Sequence, residues 1–141
     1  MSSAFTFSND SALLDRDLVH HWLSVESYWA QGRTRQVQDA AIDGSKNYSV
    51  LDADGRQVAY ARVVTDGATF AWLCDVFVDG ASRGLGIGKM IVEGVIQDLE
   101  ESSTVKRIML ATSTADGLYA RYGFEEPSGP TRYMVEQVPR G

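Results

Sequence analysis

The sequence predicts a mixed α/β (α+β) fold, with a central sheet that is antiparallel in its N-terminal half and parallel at its centre, flanked by helices. Three observations carry that expectation. Strand-like runs over 48–51 and 58–64 are separated by Asp52, Ala53, Asp54 and Gly55, a hairpin signal. Residues 69–78 are apolar almost throughout, as a strand buried on both faces should be. That run feeds a glycine-spaced turn, an amphipathic helix and another short strand, and such a crossover joins parallel neighbours.

Each element has its own signal. Leu14, Leu18, Val19, Trp22 and Leu23 recur at helical spacing after a polar cluster at 8–11, which predicts a first helix over 11–24. A second, more polar helix is expected over 33–43, stopped by Gly44. Between them Glu26, Tyr28, Trp29 and Gln31 occupy an aromatic loop. Tyr48, Val50 and Leu51, then Val58, Tyr60, Arg62, Val63 and Val64, form the hairpin, and a turn at Asp66 and Gly67 leads into the apolar run. From 85 to 101, Ile87, Met90, Ile91, Val95 and Leu99 share one helical face while Glu93, Gln97 and Glu100 lie elsewhere. A short strand over 107–111 and a short helix over 116–122, ended by Gly123, follow. Pro127 and Pro130 bracket a loop before a last strand expected over 133–138.

The 141 residues suit one domain, 1–141, large enough for a core without staples. With 44% hydrophobic and 23% charged residues, the composition is that of an ordinary soluble globule. The single cysteine, Cys74, excludes an intramolecular disulfide and leaves too few thiols for a zinc site, so no metal is expected. No stretch has the apolar length of a membrane span, and no basic-then-apolar leader opens the chain, so the expected setting is cytoplasmic. A net charge of -6 argues against generic nucleic-acid binding. It is compatible with a cationic acceptor, although mild acidity also serves solubility.

The chemistry concentrates in the run Arg83, Gly84, Leu85, Gly86, Ile87, Gly88, Lys89. A glycine-spaced turn opening a helix is an anion site, because free backbone N–H groups and the positive end of the helix dipole point outward and the glycines admit a phosphate. The spacing excludes a Walker loop, which needs four residues between its first Gly and the Gly-Lys pair and then Ser or Thr; here there are three, and Met90 follows. It also departs from the dinucleotide pattern Gly-x-Gly-x-x-Gly and lies too far along the chain.

The loop instead resembles the pyrophosphate loop of GNAT-type N-acetyltransferases, Arg/Gln-x-x-Gly-x-Gly/Ala, with Arg83, Gly86 and Gly88 matching position by position. Downstream, Leu118, Tyr119, Ala120, Arg121, Tyr122, Gly123 and Phe124 reproduce the family's Leu-Tyr-x-x-x-Gly-Phe segment. The resemblance covers roughly residues 45–125. It implies the GNAT fold, with splayed central strands, and transfer of an acetyl group from acetyl-CoA to a primary amine in a ternary complex. It further implies that coenzyme A lies along Val76, Phe77 and Val78 and the 83–89 run, and that a homodimer is possible. Many family members place Asn seven residues before the tyrosine; Thr112 stands there, and Thr112 or Asp116 is the candidate substitute.

Acetyl transfer from a thioester needs a neutral amine, a stabilised oxyanion and a proton for the departing thiolate. Tyr119 stands where the family's tyrosine reaches the coenzyme A sulfur. A phenol of pKa ~10 is a weaker acid than a thiol of pKa ~8.5, so hydrogen-bond assistance is favoured over full proton transfer. Tyr122 is the competitor, with packing under Phe124 its simpler use. Backbone N–H groups at Val76 to Val78 are the candidate oxyanion donors. Asp75, the lone charge in its apolar run, is either the base, directly or through water, or a structural anchor; strand alternation sets it opposite Cys74 and Val76 unless a bulge re-aims it. Glu26 is the second candidate base. His20 and His21 read as surface or interface residues, and Trp22, Tyr28, Trp29 and Trp72 as core or acceptor-pocket walls. Two other functions keep the same cradle: a non-catalytic acyl-CoA sensor, and a transferase of longer acyl groups.

Overall fold

The structure, a computed structural model, describes residues 4–139 of the expected 1–141 domain. Its sheet has five strands in chain order: β1 (Thr6–Ser8), β2 (Lys46–Leu51), β3 (Gln57–Thr65), β4 (Ala71–Val78) and β5 (Ile108–Met109). The first four pair antiparallel and β4–β5 is parallel, which is the mixed sheet the sequence predicts. The crossover helix α3 (Ile87–Ser102) joins the parallel pair.

Alternation along β3 divides the molecule into two cores. Ala59, Ala61 and Val63 join Val50, Leu73 and the α3 residues Ile87, Ile91, Val92, Val95 and Leu99 on one face. Tyr60 turns to the other, where Phe77 meets Val19, Trp22, Leu23 and Ile42. That second face is covered by α1 (Arg16–His21) and α2 (Arg35–Asp43). The short α4 (Asp116–Ala120) packs beside α3.

The N-terminal region differs from the single helix expected over 11–24. Asp10 caps a 3-10 turn at Ser11–Leu13, and Asp15 then caps α1 by accepting from the Leu18 N–H at 3.1 Å. Two local caps restart the chain where periodicity alone would run on. Beyond His21 the helix widens into a π segment, Trp22–Glu26, closed by Ser27 N–H to the Trp22 carbonyl at 2.9 Å. Strand β1 was not expected either: three residues carry too little alternation to register, yet Phe7 stacks on Tyr48 with centroids 5.7 Å apart. No strand forms over 133–138. Met134 is 94% exposed and Val135 83%, so their alternation is not matched by any pairing or burial.

Strand β4 carries two irregularities that create the site. Its parallel ladder with β5 consists of Ala71–Ile108 and Trp72–Met109 alone, so the edge from Leu73 to Val78 runs on without that partner. Its register with β3 also shifts between Tyr60 and Arg62, where Asp75 adopts φ +53. This is a β-bulge, which inserts a residue and shifts the alternation by one. Ala71 and Leu73 pack toward α3, and past the bulge that role passes to Val76 and Val78. Asp75 is therefore re-aimed onto the α1–α2 face beside Arg62, correcting its expected place opposite Cys74.

The close approach of β1 to α3 depends on Gly94: a Cβ there would lie 2.3 Å from the Phe7 ring. Helix propensity alone favours Ala over Gly by ~1 kcal/mol. Gly94→Ala should nevertheless destabilise the protein by about 1–3 kcal/mol in urea denaturation, with Phe7→Leu restoring most of the loss. A stabilised single variant would mean that β1 does not pack as described.

Candidate active site

Two clefts open along the unpaired edge of β4. The first, of about 430 Å³, lies between the 27–34 loop and the chain after β5, and is bordered by Tyr28, Trp29, Trp72, Val76, Leu110 and Tyr119. The second, of about 480 Å³, runs from Val76–Val78 to the start of α3 and takes in Arg83, Gly84, Gly86 and Gly88. Trp29, Val76 and Tyr119 border both, so the clefts meet at these three residues.

The second cleft is built around bare main chain. Gly84 and Gly86 both sit at φ +82, a left-handed conformation open to glycine and strained for other residues. Asp15 and Thr34 cap α1 and α2 with their side chains, but α3 begins at Gly86 with no side-chain cap, and its first intrahelical bond is Met90 N–H to the Gly86 carbonyl. The amides of Ile87, Gly88 and Lys89 thus face outward with the helix dipole, a donor set suited to an anion. Arg83 is exposed beside them, its Nε donating to the Val78 carbonyl at 3.1 Å and its guanidinium 5.4 Å from the Phe77 ring centre. These residues fit a diphosphate-bearing group. Leu85 is 60% exposed, and Lys89 lies on the exposed side of α3; neither borders the cleft.

Tyr119 is 9% exposed, its ring edge-on to Phe124 at 5.8 Å. Burial, reinforced by the neighbouring Tyr28, pushes its phenol above the ordinary range, so it stays protonated at neutral pH. Tyr122 is instead directed at the Lys89 carbonyl at 3.4 Å. Thr112 borders the first cleft and accepts from the Ala115 N–H at 3.0 Å, shaping the entry to α4. Its neighbours Ser113 and Thr114 were not singled out in the sequence, yet Ser113 reaches the Tyr28 hydroxyl at 2.6 Å and Thr114 borders the second cleft. A run of small polar residues after a strand was the available signal.

Asp75 borders the first cleft, but both its oxygens are engaged. Oδ2 accepts from Arg33 Nη1 at 2.8 Å and Arg62 Nε at 2.9 Å; Oδ1 accepts from Trp29 Nε1 at 3.0 Å and Arg33 Nη2 at 3.4 Å. Its side chain is 3% exposed. Burial opposes the charge, yet the hydrogen bond from Arg33 and the charges of Arg62 and Arg33 overcome it and hold the carboxyl below its usual range. Neither arginine was marked in the sequence, although Arg62 is the lone charge in its strand as Asp75 is in the next, and two isolated charges on adjacent strands are a signal for a pair. Glu26 is placed outside both clefts, exposed and paired with His21 at 3.3 Å. His20 Nε2 lies 2.8 Å from the Arg33 carbonyl.

Comparison with known proteins gives a consistent family. The acetyltransferase (GNAT) domain family matches residues 44–126. A crystal structure of a Xanthomonas campestris pv. campestris protein ascribed to the GNAT acetyltransferases is 43% identical, covers 96% of this chain and 94% of that one, and superposes with a TM-score of 0.87. The ribosomal-protein-S18-alanine N-acetyltransferase of Escherichia coli, 20% identical with a TM-score of 0.70 over 88% of this chain and 79% of that one, shares the fold. Among curated sequences, serotonin N-acetyltransferase 2, chloroplastic, of Oryza sativa subsp. japonica is 33% identical over 62% of this chain and 44% of its own length. The uncharacterized N-acetyltransferase ycf52 of Pyropia yezoensis is 27% identical over 72% of this chain and 60% of its own. The chain thus spans between 44% and 60% of the length of these two curated relatives.

Removing the Asp75 carboxylate would leave two largely buried guanidiniums without the counter-ion they share. Asp75→Ala should cost about 3–5 kcal/mol of unfolding free energy near neutral pH. A carboxyl whose folded-state pKa is depressed contributes stability above its unfolded pKa of ~3.9 and loses it as the pH falls through the folded value. The gap between wild type and variant should therefore close only well below about pH 4, and a gap already closed at about pH 5 would contradict the assigned pairing.

Proposed function

The chain belongs to the GNAT acetyltransferase family, and on that premise we propose that it moves an acetyl group from acetyl-CoA to a primary amine of a small molecule or peptide, both partners being bound together. The observation that carries this reading is the junction of two clefts at Trp29, Val76 and Tyr119. A sensor of acyl-CoA needs one cleft; direct transfer needs two that meet. The supporting residues divide accordingly.

In the second cleft the outward amides at the start of α3, with Arg83, hold the diphosphate of coenzyme A, and the unpaired β4 edge from Val76 to Val78 receives its arm. Coenzyme A supplies an acyl group activated as a thioester. Main-chain N–H groups in the same stretch are aimed where negative charge grows on the acyl oxygen. Tyr119 is held protonated at the junction and donates a hydrogen bond to the departing sulfur. Its raised pKa widens the proton-affinity gap over a thiol, which excludes complete transfer as the favoured course.

The amine enters by the first cleft, where Tyr28, Trp29 and Trp72 offer aromatic faces. These favour an amine carried on a flat apolar body, the class to which the serotonin named in the rice relative belongs. A new C–N bond forms as the C–S bond breaks, and the amine gives up one proton. Asp75 is a poor acceptor for it, tied as it is to two arginines, and Glu26 lies outside the clefts. That proton passes through water at the mouth of the first cleft and ends on the departing thiolate, so the coenzyme leaves as its free thiol.

Arg83→Ala should weaken coenzyme A binding by about ten- to a hundredfold in calorimetry, the worth of one charged hydrogen-bonding partner. Unchanged affinity would remove the diphosphate assignment. Tyr119→Phe should lower kcat by about a hundredfold while leaving coenzyme A affinity close to wild type, measured by thiol release across a panel of amines. Full turnover in that variant would take the phenol out of the mechanism, and absence of turnover with every amine would favour a sensor.

A further inference from the structure

Trp29 is the wall the two clefts share, yet little packing holds it. It is 43% exposed, and its aromatic neighbour Tyr28, edge-on at 5.0 Å, is 64% exposed. The loop main chain is tied to the helix before it: Ala30 N–H donates to Ser27 Oγ at 3.1 Å and Gly32 N–H to the Ser24 carbonyl at 3.0 Å. Those bonds fix the backbone and leave the indole to be set by something else. Its Nε1–H reaches Asp75 Oδ1 at 3.0 Å, and Arg33, four residues on, reaches the same carboxylate.

One carboxylate therefore ties both ends of the loop to the strand that lines both clefts. The conformation of Asp75 adds a second argument. At φ +53 a glycine would be accommodated more easily and an asparagine as easily, so the bulge alone does not call for a charged residue here. What aspartate adds is charge, answered by Arg33 from the loop and Arg62 from β3. Strain of this kind persists where surrounding contacts over-determine it.

We propose that Asp75 is a positioning residue: its carboxylate locks the Trp29 indole as the partition between the two clefts and so sets where the acceptor amine meets the thioester. The proposal rests on the transferase reading given above and goes beyond it. Asp75 takes no proton in this scheme. The charged and titratable groups around it are Arg33, Arg62, Tyr60 and Cys74; burial pushes the Tyr60 phenol and the Cys74 thiol up, so both keep their protons at neutral pH and neither relays one.

The test combines kinetics with indole NMR on the full chain, using acetyl-CoA and tryptamine as probes. Trp29→Phe keeps the ring and loses only the N–H donor and the extra ring, so it guards against an Asp75 variant that fails to fold. Both Trp29→Phe and Asp75→Asn are expected to raise the KM for tryptamine by about tenfold or more, to leave coenzyme A affinity within about twofold, and to combine without further loss. In the wild type, the indole N–H resonance absent from Trp29→Phe should be slow to exchange and stationary from about pH 8 to about pH 5, since the carboxyl stays ionised throughout. A tryptamine KM unchanged in Trp29→Phe, an indole resonance that titrates in that window, or an Asp75→Asn variant that abolishes the acid limb of kcat/KM would each overturn the proposal. If no amine is turned over, the transferase reading fails on its own, and the indole measurement still decides whether the clamp exists.

Discussion

Strand β4 parts from β5 after two residue pairs, and the remainder of the site follows from that early divergence. A buried strand edge normally finds a partner, because unpaired N–H and C=O groups are costly away from water. Here the edge from Leu73 to Val78 faces a cleft on each side of Val76 instead. A ligand with an extended polar arm can satisfy it, and the uncapped start of α3 lies at its far end. The molecule thus carries two sets of main-chain groups open to one elongated partner, which explains why neither set needs a particular side chain beyond Arg83.

The second constraint is electrostatic. Two arginines and one aspartate converge between β3, β4 and the α1–α2 loop, all largely buried. Such a cluster adds little net stability over an apolar substitute, since the desolvation of the charges offsets most of their attraction. Its effect is on conformation: it fixes a bulge in the strand and a loop above it in one arrangement. The two arginines engage the carboxylate from both sides, and the proposed scheme therefore gives proton removal and the placing of the 27–34 loop to different parts of the site.

The long elements were legible in the sequence because their signals are local. The β2–β3 hairpin, the apolar β4 and the amphipathic α3 came from turn residues and periodicity, and the glycine run was placed at the start of its helix. What was not legible depends on pairing between distant residues. Nothing in Ile108 and Met109 says that the ladder stops there, and nothing in 133–138 says that no edge awaits it. Strand β1 is too short for alternation to register, while the restarted first helix was written in Asp10 and Asp15 as competing caps. The bulge at Asp75 stood in the sequence only as the alternative to regular alternation, because a one-residue register shift leaves no composition signal, although the isolated charges Arg62 and Asp75 marked where it would form. The base is the least legible feature, since what engages Asp75 and Glu26, namely Arg33, Arg62 and His21, is brought near only by the fold.

The most direct measurement is a crystal structure of the protein with coenzyme A. The diphosphate is expected on the amides between Gly84 and Lys89 beside Arg83, with the arm along Val76 to Val78 and the sulfur at the Tyr119 hydroxyl. Coenzyme A bound elsewhere, or with its thiol directed away from the junction of the two clefts, would contradict it.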